Sequence, residues 1–219
     1  MGQICLGRRT FGLAVAALAA APLGGCERDP KWHNISVAGS LPSLAFHMTR
    51  AVDGREVTAA EYRGRIVLLY FGYTNCPDVC PLTLANLAIV LKRLGALAQH
   101  VSVLFVTVDP KRDTLPVLKR YVAAFAPEIV GLRGTNDQIG ELARRFRVAY
   151  SVETPTESDP TYEVSHSAAL FVFDATGAAR LIVPSMSSTK PDIDGTAADL
   201  TALIKAPAPG FFARLLALL

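Results

Sequence analysis

The chain has 219 residues, of which 51% are hydrophobic and 19% charged, and a formal net charge of +3. Basic and acidic residues are interspersed, with no basic patch or arginine–aromatic interleaving of the kind a nucleic-acid binder carries. There is no phosphate-cradling glycine loop and no Ser-His-Asp arrangement, which argues against phosphotransfer and hydrolase chemistry.

Residues 1–25 read as an export signal: Arg8 and Arg9, the apolar run FGLAVAALAAAPL, then small residues. The run is shorter than the ~20 residues a membrane-spanning helix needs, so a signal is expected rather than a permanent span. It ends in LGGC, which resembles a bacterial lipoprotein processing box in which Cys26 becomes the lipidated first residue of the mature chain. GRRTFGL also resembles a twin-arginine export signal. The expectation is a protein of the bacterial cell envelope, on the periplasmic face, held to a membrane by this N-terminal anchor. A flexible tether over 26–40, one domain over 41–205 and a short apolar tail over 206–219 complete the organisation. About 190 residues follow Cys26, enough for one domain with a real core.

Within that domain LAFHMTRAVDGREVTAAEYRGR reads as two short strands turning at Asp53-Gly54, then a helical turn begun by Thr58. IVLLYFGY, residues 66–73, is a continuous run of branched and aromatic residues and reads as a central strand buried on both faces. Leucines at helical spacing follow from Pro81 to about Gln99, and VSVLFVTVD, 101–109, reads as a second buried strand pairing in parallel with the first. Two more helices are expected over 113–125 and 135–148, with Asp113 or Thr114 and Thr135 or Asn136 at their starts. AALFVFDATGAARLIVP is a hairpin turning at Thr176-Gly177, and TAADLTALIK closes the domain as a last helix. This order predicts an α/β, thioredoxin-like fold: a mixed central sheet flanked by helices, with an N-terminal hairpin and loop insertions.

The chemistry centres on YFGYTNCPDVCPLTL, Tyr70 to Leu84. Of four cysteines, Cys5 lies in the signal and Cys26 at its processing site, so the domain has Cys76 and Cys80 alone. Both fall where a strand gives way to a helix. Unpaired N–H groups and the positive end of the helix dipole favour a thiolate there, so lowered thiol pKa values are expected. A four-residue step places both side chains on one helix face. Thioredoxin-type enzymes use a C-x-x-C pair, whereas this gap is one residue wider and Asn75 stands where such enzymes have tryptophan. A disulfide can close at this spacing if the Cα atoms lie within about 7 Å. Two sulfurs alone make a poor selective metal site, so a third ligand is sought. Of the histidines, His33 lies in the tether, His47 near the first hairpin and His100 at a helix-to-strand turn, whereas His166, in EVSHSAALFVFD, lies just before a core strand. In the thioredoxin scaffold the loop entering that strand faces the start of the cysteine helix. Two thiolates and one imidazole suit a soft ion, Cu(I) above all, with Zn(II) or Cu(II) as alternatives. His47, Met48 and Met186 read as packing residues, Asp109 and Pro110 as turn formers, and Asp113 as a helix cap.

YFGYTNCPDVCPLTL, VTVDPKRDTLPVLKRYVAAF and VSHSAALFVFDATG together resemble the Sco/SenC family of copper-binding cytochrome oxidase assembly factors, over roughly residues 40–205. The resemblance implies copper, as Cu(I), Cu(II) or both, held by Cys76, Cys80 and His166. It implies delivery of copper to the binuclear copper site of cytochrome c oxidase, or reduction of the cysteines of that site. The partners it implies are the oxidase's copper-site subunit, a copper donor chaperone and a thioredoxin-like reductant. VDPKRDT becomes a surface loop flanking the site. The acidic segment YSVETPTESDPTYEVSH departs from the family pattern, as does a lipid anchor in place of a transmembrane helix.

Three alternatives stand beside the chaperone reading. Cys76 and Cys80 can act as a thiol–disulfide reductase pair, with His166 incidental or tuning a thiolate. They can form a structural disulfide, although so small a loop constrains little of the unfolded chain. The site can also serve a redox or copper sensor.

Overall fold

The computed structural model describes residues 31–153, 162 and 164–206. The expected export signal, Cys26 and the tail from residue 207 lie outside them. In chain order the elements are β1 (Ile35–Ser36), β2 (His47–Arg50), β3 (Glu56–Thr58), β4 (Ile66–Gly72), α1 (Val79–Leu94), β5 (Val101–Thr107), α2 (Leu115–Ala123), β6 (Ile129–Arg133), α3 (Asn136–Arg145), β7 (Tyr150–Val152), β8 (Val164–His166), β9 (Leu170–Phe173), β10 (Ala179–Val183) and α4 (Ile193–Lys205).

Every residue of β4 and β5 is buried, as a continuous apolar run without alternation requires of strands covered on both faces. They pair in parallel from Ile66 opposite Val101 to Gly72 opposite Thr107, and β6 continues the parallel set. The antiparallel strand β9 flanks β4 on the other side, and the eight-stranded order is β1-β10-β9-β4-β5-β6-β2-β3. This is the expected mixed sheet with flanking helices and an N-terminal hairpin. Both glycine turns form as read, Gly54 and Gly177 having φ of +70° and +76°, a region open to glycine at little cost.

Four differences from the sequence expectations have physical causes. First, β6 emerges from PEIVGLRG, where no strand was expected. Gly131 interrupts its apolar pattern, and the glycine is needed because a Cβ there would lie 2.6 Å from Leu118 of α2. Second, residues 32–37 are docked rather than free: β1 adds to β10, and the amides of His33 and Asn34 donate to the carboxylate of Asp199 in α4 at 3.1 and 2.9 Å. Third, α1 stops at Leu94, Gly95 turning the chain at φ +55° before a 3₁₀ stretch to His100. Fourth, α4 begins three residues early, where Asp192 accepts the Gly195 amide at 2.9 Å.

Val79–His100 is long and apolar enough to cross a membrane, with a mean hydropathy of 1.4. In the fold it is a core helix and its following turn, with Leu84, Leu87, Val90 and Leu91 buried.

Candidate metal centre

Three connections meet at one end of the sheet. Because β4 and β5 run in parallel, the chain leaves both at that end, toward the cysteines from Gly72 and toward Asp109 from Thr107. Because β9 runs against β4, with Leu170 opposite Tyr70, the chain enters β9 at the same end. His166 therefore arrives beside the cysteine loop although it is 86 residues from Cys80.

Cys80 is the second residue of α1, which begins after Asp78. Its sulfur is fully buried against the end of β4, where a Cβ on Gly72 would lie 2.9 Å from Sγ and 2.7 Å from the Phe105 ring. Gly72 is thus the residue that makes room for the sulfur. Cys76 is half-buried; its Sγ accepts the Cys80 amide at 3.4 Å, so the helix start does face a sulfur as expected. The two sulfurs are not bonded to one another.

His166 ends β8, which pairs with β7 so that Tyr150 lies opposite it. Its Nε2 is 3.1 Å from Cys80 Sγ and its Nδ1 is 3.2 Å from the Ser167 carbonyl. A carbonyl only accepts, so Nδ1 carries the proton and Nε2 presents its lone pair toward the sulfurs. Tyr70 and Tyr73 hold the ring edge-on at centroid distances of 5.9 and 5.8 Å, and the Tyr70 hydroxyl reaches Cys80 Sγ at 3.7 Å. The donor atoms of Cys76, Cys80 and His166 all lie within 4.8 Å of one another. A cleft of about 260 Å³, walled by Tyr73, Cys76, Pro77, Val164 and His166, opens onto the group.

Burial dominates the electrostatics. It pushes the Cys80 thiol up to about 12, against the opposing pull of a backbone hydrogen bond from Tyr73. The expected low-pKa thiolate is therefore corrected for Cys80: the helix start does not outweigh the loss of water. Burial also lowers the His166 imidazole, which the Ser167 carbonyl only partly offsets, so the ring is neutral near pH 7. The buried Cys80 thiol, the half-buried Cys76 sulfur and the neutral imidazole form a largely dry donor set. A cation placed among them removes the penalty for ionising the sulfurs, and the set is soft enough for a thiophilic metal.

The remaining sequence candidates stay apart. His33 is engaged through its amide with Asp199, His47 pairs with Glu56 at 3.1 Å on the edge hairpin, and His100 precedes β5 at the opposite end of the sheet. Met48 and Met186 are core residues, each 1% exposed. Asp113 does not cap α2, whose cap is Thr114; its carboxylate is buried and accepts from Thr74 and Thr107. Asp109 is equally buried and engaged with Arg112 and Tyr162, so the VDPKRDT segment is in good part interior rather than a surface loop. Gly72, Tyr70, Tyr73, Thr74, Arg112 and Tyr162 were not singled out in the sequence. A glycine ending a fully apolar strand just before a cysteine loop was the one available signal.

The SCO1/SenC family profile matches residues 43–204. The chain belongs to the SCO1/SenC family. It is 44% identical over 181 residues to the mitochondrial SCO2 homologue of Bos taurus, an overlap of 75% of this chain and 66% of that one. It covers 42% of the human mitochondrial SCO1 homologue, so it spans only part of such relatives. Among solved structures it is similar to Bradyrhizobium japonicum ScoI with copper bound (TM-score 0.65, 32% identity, 74% of this chain and 98% of that one). Yeast Sco1 with copper bound gives a TM-score of 0.66 at 31% identity, covering 80% and 94%. These likenesses agree with the thioredoxin-like, Sco-type fold read from the sequence.

Proposed function

We propose that this SCO1/SenC protein holds copper between Cys76 Sγ, Cys80 Sγ and His166 Nε2 and serves in assembly of the copper site of cytochrome c oxidase, delivering the ion as its cargo. The observation that carries the reading is the convergence of the three donor atoms within 4.8 Å, with Nε2 already freed for a ligand by the Ser167 carbonyl. Copper-bound relatives of the same fold support the choice of ion. Soft sulfur donors with one imidazole favour Cu(I). The half-open cleft beside Cys76 gives a partner's competing thiolate a route to the ion. Tethering at Cys26 would keep the domain at the membrane where such an oxidase is built.

A second reading has its own support. Cys76 is half-buried and Cys80 fully buried, as in a reductase whose outer thiol attacks a partner disulfide and whose inner thiol resolves the mixed disulfide. In that case the same pair prepares the cysteines of the oxidase site, at the expense of a thioredoxin-like reductant.

Anaerobic Cu(I) titration of the reduced chain against a strong chelator, with Cys76→Ser, Cys80→Ser and His166→Ala in parallel, tests the first reading. One tight equivalent that each change weakens supports the three-ligand site. Binding indifferent to His166→Ala overturns it and leaves the dithiol reductase.

A further inference from the structure

Two adjacent residues of the segment before α2 reach the two connections that carry the ligands of the candidate metal centre. On the cysteine side, the Asp113 carboxylate accepts the Thr74 amide at 3.0 Å, the Thr74 hydroxyl at 2.5 Å and the Thr107 hydroxyl at 2.5 Å. Thr74 lies two residues before Cys76. On the histidine side, the Arg112 guanidinium lies 3.8 Å from the centroid of the Tyr162 ring and donates to the Tyr162 carbonyl at 3.2 Å; it also lies 5.9 Å from the centroid of Tyr73, whose ring packs on His166. Its Nε pairs with Asp109, whose other oxygen accepts the Tyr162 hydroxyl at 2.7 Å. Tyr162 lies four residues before His166. Thr107 joins the two halves, since its hydroxyl also accepts the Asp109 amide at 3.0 Å.

Such an arrangement is costly unless complete. Asp109 and Asp113 are 1% and 0% exposed, and a buried carboxylate is tolerated only when its oxygens are satisfied. Here each carboxylate has one partner near in sequence, Arg112 or Thr107, and one on a distant connection, Tyr162 or Thr74, so satisfying it fixes the position of that connection. The cation–ring stack adds a planar constraint that a lysine does not reproduce.

We propose that Arg112 and Asp113 are positioning residues that clamp the histidine strand and the cysteine loop at the separation a shared ion needs, Arg112 acting through Tyr162 on His166 and Asp113 acting through Thr74 on Cys76 and Cys80. The proposal deepens the three-ligand reading and rests on it for the copper measurements, but the clamp itself is a property of the metal-free protein.

The test uses the full-length chain with Arg112→Met, Tyr162→Ala and Asp113→Asn, each also combined with His166→Ala. Tyr162→Ala removes the far half of the histidine side without stranding the Asp109 charge, and so serves if Arg112→Met does not fold. In NMR spectra of the reduced, metal-free protein, Arg112→Met and Tyr162→Ala are expected to shift and broaden the His166 imidazole and the Val164 and Ser165 amides more than the Thr74 and Cys76 amides. Asp113→Asn is expected to do the reverse. In Cu(I) competition, loss of a residue that orients a ligand costs about 10- to 100-fold in affinity. Arg112→Met and Tyr162→Ala should show that loss when His166 is present and none in the His166→Ala background, whereas Asp113→Asn weakens binding in both. Arg112→Lys is not expected to restore the loss. Unmoved His166 signals, or a copper loss of equal size with and without His166, overturn the clamp while leaving the copper site standing. Copper affinity indifferent to His166→Ala alone removes the three-ligand reading, and the metal-free spectra then decide the clamp by themselves.

Discussion

Cys80 Sγ lies 3.1 Å from His166 Nε2 across 86 residues of sequence. The contact joins the start of a helix to the end of a short strand, and burial sets the protonation of both partners.

Burial raises the Cys80 thiol from its ordinary 9.0 to about 12. Between those values the unfolded chain has released a proton that the folded chain still holds, so the contribution is fully present below pH 9 and is lost as pH rises toward 12. The reduced, metal-free protein should lose about 1.4 kcal/mol per pH unit above pH 9 from this group. Tyr70 and Tyr121, whose hydroxyls burial also raises, add to the fall only above their ordinary 10.0. Thermal melts between pH 8 and 10 should show the descent in the native chain and a flat profile in Cys80→Ala. Saturating Cu(I) should flatten it too, because a coordinated thiol is already deprotonated.

The two thiols differ in access. Cys80 is fully buried, and Cys76 lines the open cleft. Limiting iodoacetamide under reducing, metal-free conditions should alkylate Cys76 and spare Cys80, as read by peptide mass spectrometry. Equal labelling of both would contradict the packing of Cys80 against β4.

Gly72 should be intolerant of even one methyl group. A Cβ would press on the Cys80 sulfur and the Phe105 ring, and such overpacking costs about 1–3 kcal/mol. Gly72→Ala is expected to lower the melting temperature and to weaken copper binding beyond the stability loss, since the sulfur is what must move. Unchanged copper affinity in a folded variant would show that Phe105 gives way instead.

The docked lead-in contributes to stability through Asp199, which is 3% exposed and accepts the His33 amide, the Asn34 amide and the Asn34 side chain. Hydrogen bonds to a charged group are worth about 1.5–3 kcal/mol, so Asp199→Ala should lower the melting temperature by roughly 5–10 °C. Copper affinity should stay as it was, because α4 contributes no residue to the site. Proteolysis should at the same time begin to cut near residues 31–40.

Much of this was legible in the chain. The unbroken apolar runs of β4 and β5 have a single stable home, between two covering layers, and Asp53-Gly54 and Thr176-Gly177 place their turns by backbone sterics alone. The spacing of Cys76 and Cys80 before leucines at helical period places both sulfurs at a helix start. His166 stood out because it lies before the strand whose entering loop, in a thioredoxin scaffold, faces the cysteine helix. β6 was hidden because a five-residue strand with a central glycine has too little pattern to read, and the glycine answers to Leu118 on another element. The role of Asp113 was misread because a carboxylate before a helix looks like a cap. Only folding shows that its partners lie on β4's exit and at the end of β5.

Local sequence, then, determined the strands, the main helices, the sulfur pair and the identity of the imidazole, because those follow from period, sterics and residue chemistry within a few positions. Tertiary structure alone decided that Cys80 is a buried thiol rather than an exposed thiolate, that Nε2 is the nitrogen offered, and that Asp109 and Asp113 are buried with partners on Tyr162 and Thr74. Those outcomes depend on desolvation and on hydrogen bonds between segments up to 86 residues apart, and neither is encoded in any single stretch of the chain.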